Sequence, residues 1–197
     1  MRIAAVIVAG GRSSRMGQEK AFTMLAGRTL LEHVVGRLAP QVNEIVINAN
    51  GDASRFSATG LMVIPDVSHD IATPLAGLRA ALRFARHHAF DGVLTVPSDA
   101  PFLPSDLATR LSAANSNAAI ASSGGQVHFL TGVWSHLLLD RLEKAMDVEK
   151  LVRVKDWAAV CQATIVDWPA EPYDPFFNVN TPEELAEAGH IAAEFNP

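Results

Sequence analysis

The chain has 197 residues, 49% of them apolar, a formal net charge of -5 at pH 7 and one cysteine, Cys161. That length favours a single domain, 1–197, closed around one core, and the acidic balance without any dense Lys/Arg run excludes the basic footprint of a nucleic-acid or anionic-membrane binder. A lone thiol can form neither an intrachain disulfide nor a thiolate metal site, so the composition points to a reducing, cytoplasmic compartment, with Cys161 a small buried hydrophobe.

The first apolar run, Ile3–Val8, breaks at Gly10-Gly11-Arg12, too early for the core of a signal peptide, and reads as a buried strand. No later run approaches the length that spans a bilayer. Directly behind the strand, Val8-Ala9-Gly10-Gly11-Arg12-Ser13-Ser14-Arg15-Met16-Gly17-Gln18-Glu19-Lys20 gathers three glycines, two arginines and a lysine into one loop. Glycine lets backbone N–H groups approach phosphate oxygens, and Arg15 and Lys20 can offset the charge of a triphosphate. The spacing fits neither the Walker pattern nor the dinucleotide fingerprint. A plain strand-to-helix turn would explain Gly10-Gly11 but not Arg15 and Lys20 as well; Arg12 is equally at home as a solvated side chain.

Residues 29–38 place Leu30, Leu31, Val34, Val35 and Leu38 on one helix face. The next strand, 44–49, carries Asn48 at its end, where an amide can read a base or ribose, although a turn asparagine is the competing explanation. Asn50-Gly51-Asp52 reads as turn chemistry. A short strand at 61–64 leads to Asp66, a carboxylate suited to a ribose hydroxyl or a guanine edge and equally to an ordinary loop. The helix Pro74–His87, with Leu75, Leu78, Leu82 and Phe84 or Ala85 inward, presents an N-terminus that can face an anion.

After a strand at 92–96 comes Val96-Pro97-Ser98-Asp99-Ala100-Pro101-Phe102, a carboxylate held between two prolines just past a buried strand. A hard dication takes one or two carboxylates plus phosphate oxygens and water, so Asp99 is the candidate ligand for Mg²⁺, against the alternative of a turn cap. Helices at 104–114 (opened by Ser105-Asp106) and 135–146 follow, with strands at 118–122 and 164–166 and a tight strand connection at Ser122-Ser123-Gly124-Gly125. Asn178 and Asn180 alternate, and so share one side, before a last helix at 181–194 capped by Thr181-Pro182-Glu183-Glu184. The βαβ rhythm and the strands' two-sided apolarity predict an α/β fold with a mainly parallel sheet covered on both faces, and ligands at the carboxyl ends of its strands. The seven histidines show no metal-ligand spacing.

Together these segments resemble the molybdenum cofactor guanylyltransferase family, whose loop reads L-A-G-G-x-S-x-R-M-G-x-D-K; here Val8 replaces Leu and Glu19 replaces Asp. The family's N-A-N, D-spacer-G-P-L-A-G, P-x-D-x-P-F/Y and F-x-N-x-N-T-P-E-E/D-L segments follow in order, with Thr73 for the first Gly of G-P-L-A-G and Ser98 where Cys is frequent. Between Val127 and Trp157 the likeness weakens: His128-Phe129 stands where a His-Pro pair is common, and Lys150-Leu151-Val152-Arg153 where paired arginines are.

The resemblance implies a Rossmann-like three-layer nucleotidyltransferase fold with one antiparallel strand near the sheet edge. It also implies transfer of GMP from Mg-GTP to the terminal phosphate of molybdopterin, with release of pyrophosphate. Nucleotide contacts fall to Val8, Ala9, Gly10, Gly11, Lys20, Asn48, Asp66 and Asp99, catalysis to Lys20, Asp99 and Arg15, the metal to Asp99, and the acceptor side to Asn178 and Asn180. The implied partners are GTP and molybdopterin, with transient contact to cofactor-delivery proteins or molybdoenzymes, and the implied state is a monomer. A cytidylyl or sugar-1-phosphate enzyme on the same scaffold and a noncatalytic nucleotide-binding module are the alternatives; Gly11 and the paired Asn178 and Asn180 favour the guanylyl side.

Overall fold

A computed structural model describes residues 1–9, 20–67 and 73–195. Strand β1 (Ile3–Val8) is buried along its whole length. A 3₁₀ turn at Lys20–Phe22 and a small antiparallel ribbon, β2 (Met24–Leu25) with β3 (Arg28–Thr29), lead into α1 (Leu30–Leu38). Thr29 and Glu32 close a capping box that satisfies the first N–H groups of α1. Next come β4 (Glu44–Asn48), a 3₁₀ helix at Ala53–Thr59, β5 (Met62–Ile64), α2 (Pro74–His87), β6 (Gly92–Pro97) and α3 (Leu107–Ser112). The chain ends with β7 (Ala118–Ser123), β8 (Gln126–Ser135), α4 (Leu139–Asp147), α5 (Val154–Cys161), β9 (Thr164–Trp168) and α6 (Pro182–Phe195).

Among the described residues, seven strands form one sheet in the order β5-β4-β1-β6-β8-β7-β9. Every pairing is parallel except those of β8 with β6 and β7. The two-sided apolarity of β1 has its cause in the layers. Ile3, Ala5 and Ile7 enter a core with Leu31, Val34 and Leu111 on one face, while Ala4 and Val6 meet Leu75, Leu78, Leu82 and Trp157 on the other. This is the three-layer α/β arrangement expected from the alternation. Helix α2 is held against α4 by ion pairs of Arg79 with Asp147, Arg83 with Glu143 and Arg86 with Asp140.

The structure corrects several boundaries. The helix expected at 104–114 is only Leu107–Ser112, because the Asp106 carboxylate accepts from Trp168 Nε1 (2.9 Å) instead of capping the helix. Ser135 both ends β8 and caps a 3₁₀ turn at His136–Leu138, its Oγ accepting from the Leu137 N–H (3.3 Å), and α4 begins only at Leu139. The antiparallel strand expected near the sheet edge is β8, third from that edge with β7 and β9 beyond it. Strand β8 and helix α5 were not expected from the sequence. The connection at Gly124-Gly125 is the tight hairpin expected, both residues having positive φ (54° and 79°), which suits the paired-glycine turn. Cys161 is half-buried against the α2-side core, and burial pushes its thiol up to about 12, with Arg141 opposing.

Strand β8 owes its irregularity to a bulge: the register with β7 jumps from Ile120 opposite Gly132 to Ala121 opposite His128. The displaced Leu130 carbonyl accepts from Thr95 Oγ1 (2.8 Å), and the same hydroxyl accepts from the buried Trp134 Nε1 (2.9 Å). One side chain therefore serves both the buried Trp134 indole N–H and the half-buried Leu130 carbonyl. Thr95→Val, nearly isosteric, is expected to lower unfolding stability by roughly 1–3 kcal/mol, because the buried Trp134 N–H loses its acceptor and the Leu130 carbonyl its donor together. Urea denaturation of the variant checks this; a loss below about 0.5 kcal/mol would mean that the bulge does not depend on Thr95.

Candidate active site

The parallel strands bring their carboxyl ends to one edge, and the polar groups singled out in the sequence collect there. Two clusters form. In the first, Lys20 opens the 3₁₀ turn behind the loop, anchored by buried Ala21. Its Nζ donates to Asn180 Oδ1 (2.5 Å) and lies 3.5 Å from Asp99 Oδ2. Asp99 follows β6, with Ala100, Phe102 and Leu103 buried behind it. The Asp99 carbonyl accepts from the Val179 N–H (2.9 Å), which ties the segment before α6 to the Asp99 loop. The Glu184 carboxylate accepts from the N–H groups of Asn180 and Thr181, and Thr181 Oγ1 accepts from the Glu184 N–H, so the cap of α6 lies against the same cluster.

Desolvation raises the Asp99 carboxyl above its ordinary value; Lys20 opposes the rise and the nearby Glu184 carboxylate adds to it. The side chain is 17% exposed. A carboxylate so placed is short of positive charge even with Lys20 beside it. Among the described residues no three His, Cys, Asp or Glu side chains gather as a metal site. A cation held at Asp99 would thus take its remaining ligands from water or from a bound phosphate.

The second cluster is built on β4 and the residues after β5. Asn48 Nδ2 donates to the Ile64 carbonyl (3.2 Å) and to Asp66 Oδ1 (3.0 Å), and Asn50 Nδ2 donates to Asp66 Oδ2 (2.7 Å). Both amide hydrogens of Asn48 are therefore committed within the protein, and what it retains for a ligand is its carbonyl oxygen. That oxygen lies against Gly77 of α2: a Cβ there would collide with it and press on Val8, which is the physical reason for a glycine in this helix. Ala9 N–H donates to the Asn48 carbonyl (2.9 Å), so Val8 and Ala9 adjoin this cluster. Gly10, Gly11, Arg12 and Arg15 lie outside the described residues.

Of the predicted pair before α6, Asn180 joins Lys20, whereas Asn178 is exposed and offers its backbone carbonyl to Asn180 Nδ2 at 3.4 Å. Sequence reasoning missed three contributors. Asn50 was read as a turn residue. Glu184 was read only as a cap, although its charge also reaches Asp99. The third is a polar group at the same edge: Ser123 Oγ donates to Asp174 Oδ1 and bonds His128 Nε2, each at 2.7 Å. Burial lowers the His128 pKa, with Asp174 opposing.

Residues 5–162 match the MobA-like NTP transferase domain. The molybdenum cofactor guanylyltransferase of Bradyrhizobium sp. (strain ORS 278) is 45% identical over 195 residues, covering 95% of this chain and 92% of that one. The crystal structure of molybdopterin-guanine dinucleotide biosynthesis protein A from Archaeoglobus fulgidus superposes with a TM-score of 0.74 at 25% identity, covering 98% of this chain and 100% of that one. Rv0371C of Mycobacterium tuberculosis H37Rv, solved as a complex with manganese, shares the fold at a TM-score of 0.70 and 17% identity, covering 96% of this chain and 99% of that one. The fold is that of a nucleotidyltransferase. Within that class, the chain belongs to the MobA-like NTP transferase family, on the branch of the molybdenum cofactor guanylyltransferases.

The displaced titration of Asp99 has a consequence for stability. A carboxyl whose pKa is raised by folding favours the fold while protonated, and that contribution is lost as pH rises through the folded value. Asp99→Asn, uncharged throughout, is expected to melt above the wild type in metal-free buffer near neutral pH, the gap closing as pH falls through the carboxylate range. Equal melting temperatures at neutral pH would show that Lys20 fully compensates the buried charge.

Proposed function

We propose that this chain transfers GMP from GTP to the terminal phosphate of molybdopterin, with or without its molybdenum, forming the guanine dinucleotide of the cofactor and releasing pyrophosphate. The observation that carries this reading is the cluster of Lys20, Asp99 and Asn180 at the carboxyl edge, in a chain whose 45% identical relative bears that enzyme's name. An oxygen of the acceptor phosphate attacks the α-phosphorus of GTP. The new P–O bond forms as the bond from the α-phosphorus to the α,β-bridging oxygen breaks, and the electron pair leaves with pyrophosphate.

That nucleophile is already ionised near neutral pH, so the site needs no strong base and works by alignment and charge stabilisation. Lys20, held between Asp99 and Asn180, offsets phosphate charge, and Arg15 is assigned the same task. Asp99 is the residue that would hold Mg²⁺: a largely buried carboxylate without full charge compensation, with water and phosphate oxygens for the remaining ligands, suits a hard dication. When bound, such an ion neutralises and orients phosphate oxygens. Val8, Ala9, Gly10 and Gly11 are assigned to the nucleotide together with Asn48 and Asp66, and Asn178 and Asn180 to the acceptor. Residues 1–197 act as one domain and one monomer in a reducing cytoplasm, meeting cofactor-delivery proteins or molybdoenzymes transiently.

The test is product identification. Purified protein with Mg²⁺, molybdopterin and GTP or CTP in parallel, with sugar-1-phosphates as control acceptors, is expected to yield only the guanine dinucleotide. A cytosine dinucleotide or a nucleotide sugar would overturn the assignment. Lys20→Ala and Asp99→Ala are each expected to cut kcat roughly 100-fold or more with the circular dichroism spectrum unchanged, since each removes charge stabilisation at the reacting phosphates. A drop of less than about threefold in either would remove that residue from the chemistry.

A further inference from the structure

Strand β4 and the residues after β5 keep one register past the end of their ladder. Asn48 lies opposite Ile64, and continuing the parallel pairing by two residues sets Asn50 opposite Asp66. Alternation turns Ala49 into the core, where it is 4% exposed, and leaves the amides of Asn48 and Asn50 on the other side. Asn50 then meets Asp66 twice: its Nδ2 donates to Asp66 Oδ2 (2.7 Å), and its Oδ1 accepts from the Asp66 N–H (2.9 Å). The carbonyl of Asn50 accepts from Arg55 Nη2 (2.8 Å), and Asp52 caps the 3₁₀ helix that follows, so the turn carrying Asn50 is itself held.

Asp66 is buried, and its two carboxylate oxygens receive one amide hydrogen each, from Asn48 and from Asn50. Each oxygen keeps lone-pair capacity, so the carboxylate presents two adjacent acceptors in a plane set by two amides. Such a pair matches a ligand that offers neighbouring donors, the edge of a base or the diol of a ribose. Without Asn50, Oδ2 and the Asp66 backbone N–H both lose their partner, and the carboxylate is oriented by its one remaining bond, from Asn48 Nδ2 to Oδ1.

We propose that Asn50 is a positioning residue for nucleotide selection: it touches no substrate atom, and acts by fixing the Asp66 carboxylate as a two-point acceptor. This rests on the assignment of Asp66 to the nucleotide in the proposed function. It separates the two asparagines of the segment from the role of turn formers, and makes Asp66, rather than the Asn48 carbonyl oxygen that lies against Gly77, the group that reads donors on the ligand.

The experiment is a double-mutant cycle on nucleotide affinity, measured by calorimetry with Mg²⁺ and no acceptor, using wild type, Asn50→Ala, Asp66→Ala and the double variant. Asn50→Ala is expected to weaken GTP binding roughly tenfold, to raise KM for GTP by a similar factor, and to leave kcat within about twofold. In the Asp66→Ala background the same substitution is expected to change nothing further. If Asn50→Ala fails to fold, as judged by its melting curve, Asn50→Ser, too short to span to Asp66, takes its place. Affinity unchanged in the single variant, or losses that multiply in the double one, would overturn the proposal. If wild type binds GTP but makes no dinucleotide, the acceptor assignment fails while the cycle still judges Asn50; if another nucleotide binds best, the cycle is run with that one.

Discussion

A carboxylate taken out of water has to be compensated, and much of this molecule's carboxyl edge is arranged around that requirement at Asp99. The residue is fixed from behind by a buried loop and from the side by Val179, which donates to its carbonyl. Lys20 brings one positive charge, from a turn far away in sequence, and Asn180 takes the other side of that ammonium. Glu184, engaged in capping α6, adds negative charge from close by. The sum is a pocket edge that favours a further cation or a protonated acid over a bare carboxylate. A polynucleotide or an acidic protein would bring more negative charge; a nucleoside triphosphate escorted by a hard dication brings the missing positive charge with it. Structural tension of this sort is a frequent signature of a working site, because the same burial that weakens the empty protein strengthens electrostatic interactions once the ligand arrives.

The second cluster depends on register rather than on charge. Parallel pairing of β4 with β1 and β5 fixes which residues arrive together at the edge: Val8 beside Asn48, and Asn48 beside Ile64. Everything that follows is geometry from these pairs. Asn48 reaches Asp66, Asn50 reaches it two residues on, and Gly77 lets α2 come close enough to touch the Asn48 amide. A slip of one residue in β4 would send both amides into the core and Ala49 out of it, which the apolar faces on either side forbid.

Much of this was legible in the residues themselves, for identifiable reasons. The order of β1, α1, β4, β5, α2 and β6 follows from strong, unbroken periodicity, and Asp99 and Lys20 stand out because charge is placed where apolar strands end. What escaped has a different character. Asn50 looks local, since a turn needs such a residue; its real partner is 16 residues away and is visible only once β4 and β5 are in register. Strand β8 has its alternation interrupted at the bulge, so a ten-residue strand reads as two unrelated fragments. Helix α5 was lost because Trp157, Ala158, Ala159 and Val160 run together and blur the helical period, even though only Trp157 and Ala158 of the four are buried.

The antiparallel strand also changes what its segment can contribute. In β1, β4 and β6 the last residues reach the carboxyl edge, but β8 runs the other way, so its first residues, Gln126 to His128, do so. His128 is thereby set beside the end of β7 and bonds Ser123, which donates to Asp174. Asp174 also accepts from the Phe176 N–H, and Phe176 packs on Trp168 and His128. From there the chain passes through Val179, pinned to Asp99, to Asn180, pinned to Lys20. Among the described residues the stretch from Asp174 to Asn180 pairs with no strand, so its path is set by these side-chain and backbone anchors. The reversed β8 accordingly supplies support for the element that delivers Asn180, and this is why a segment whose own sequence says little about function still bears on the site.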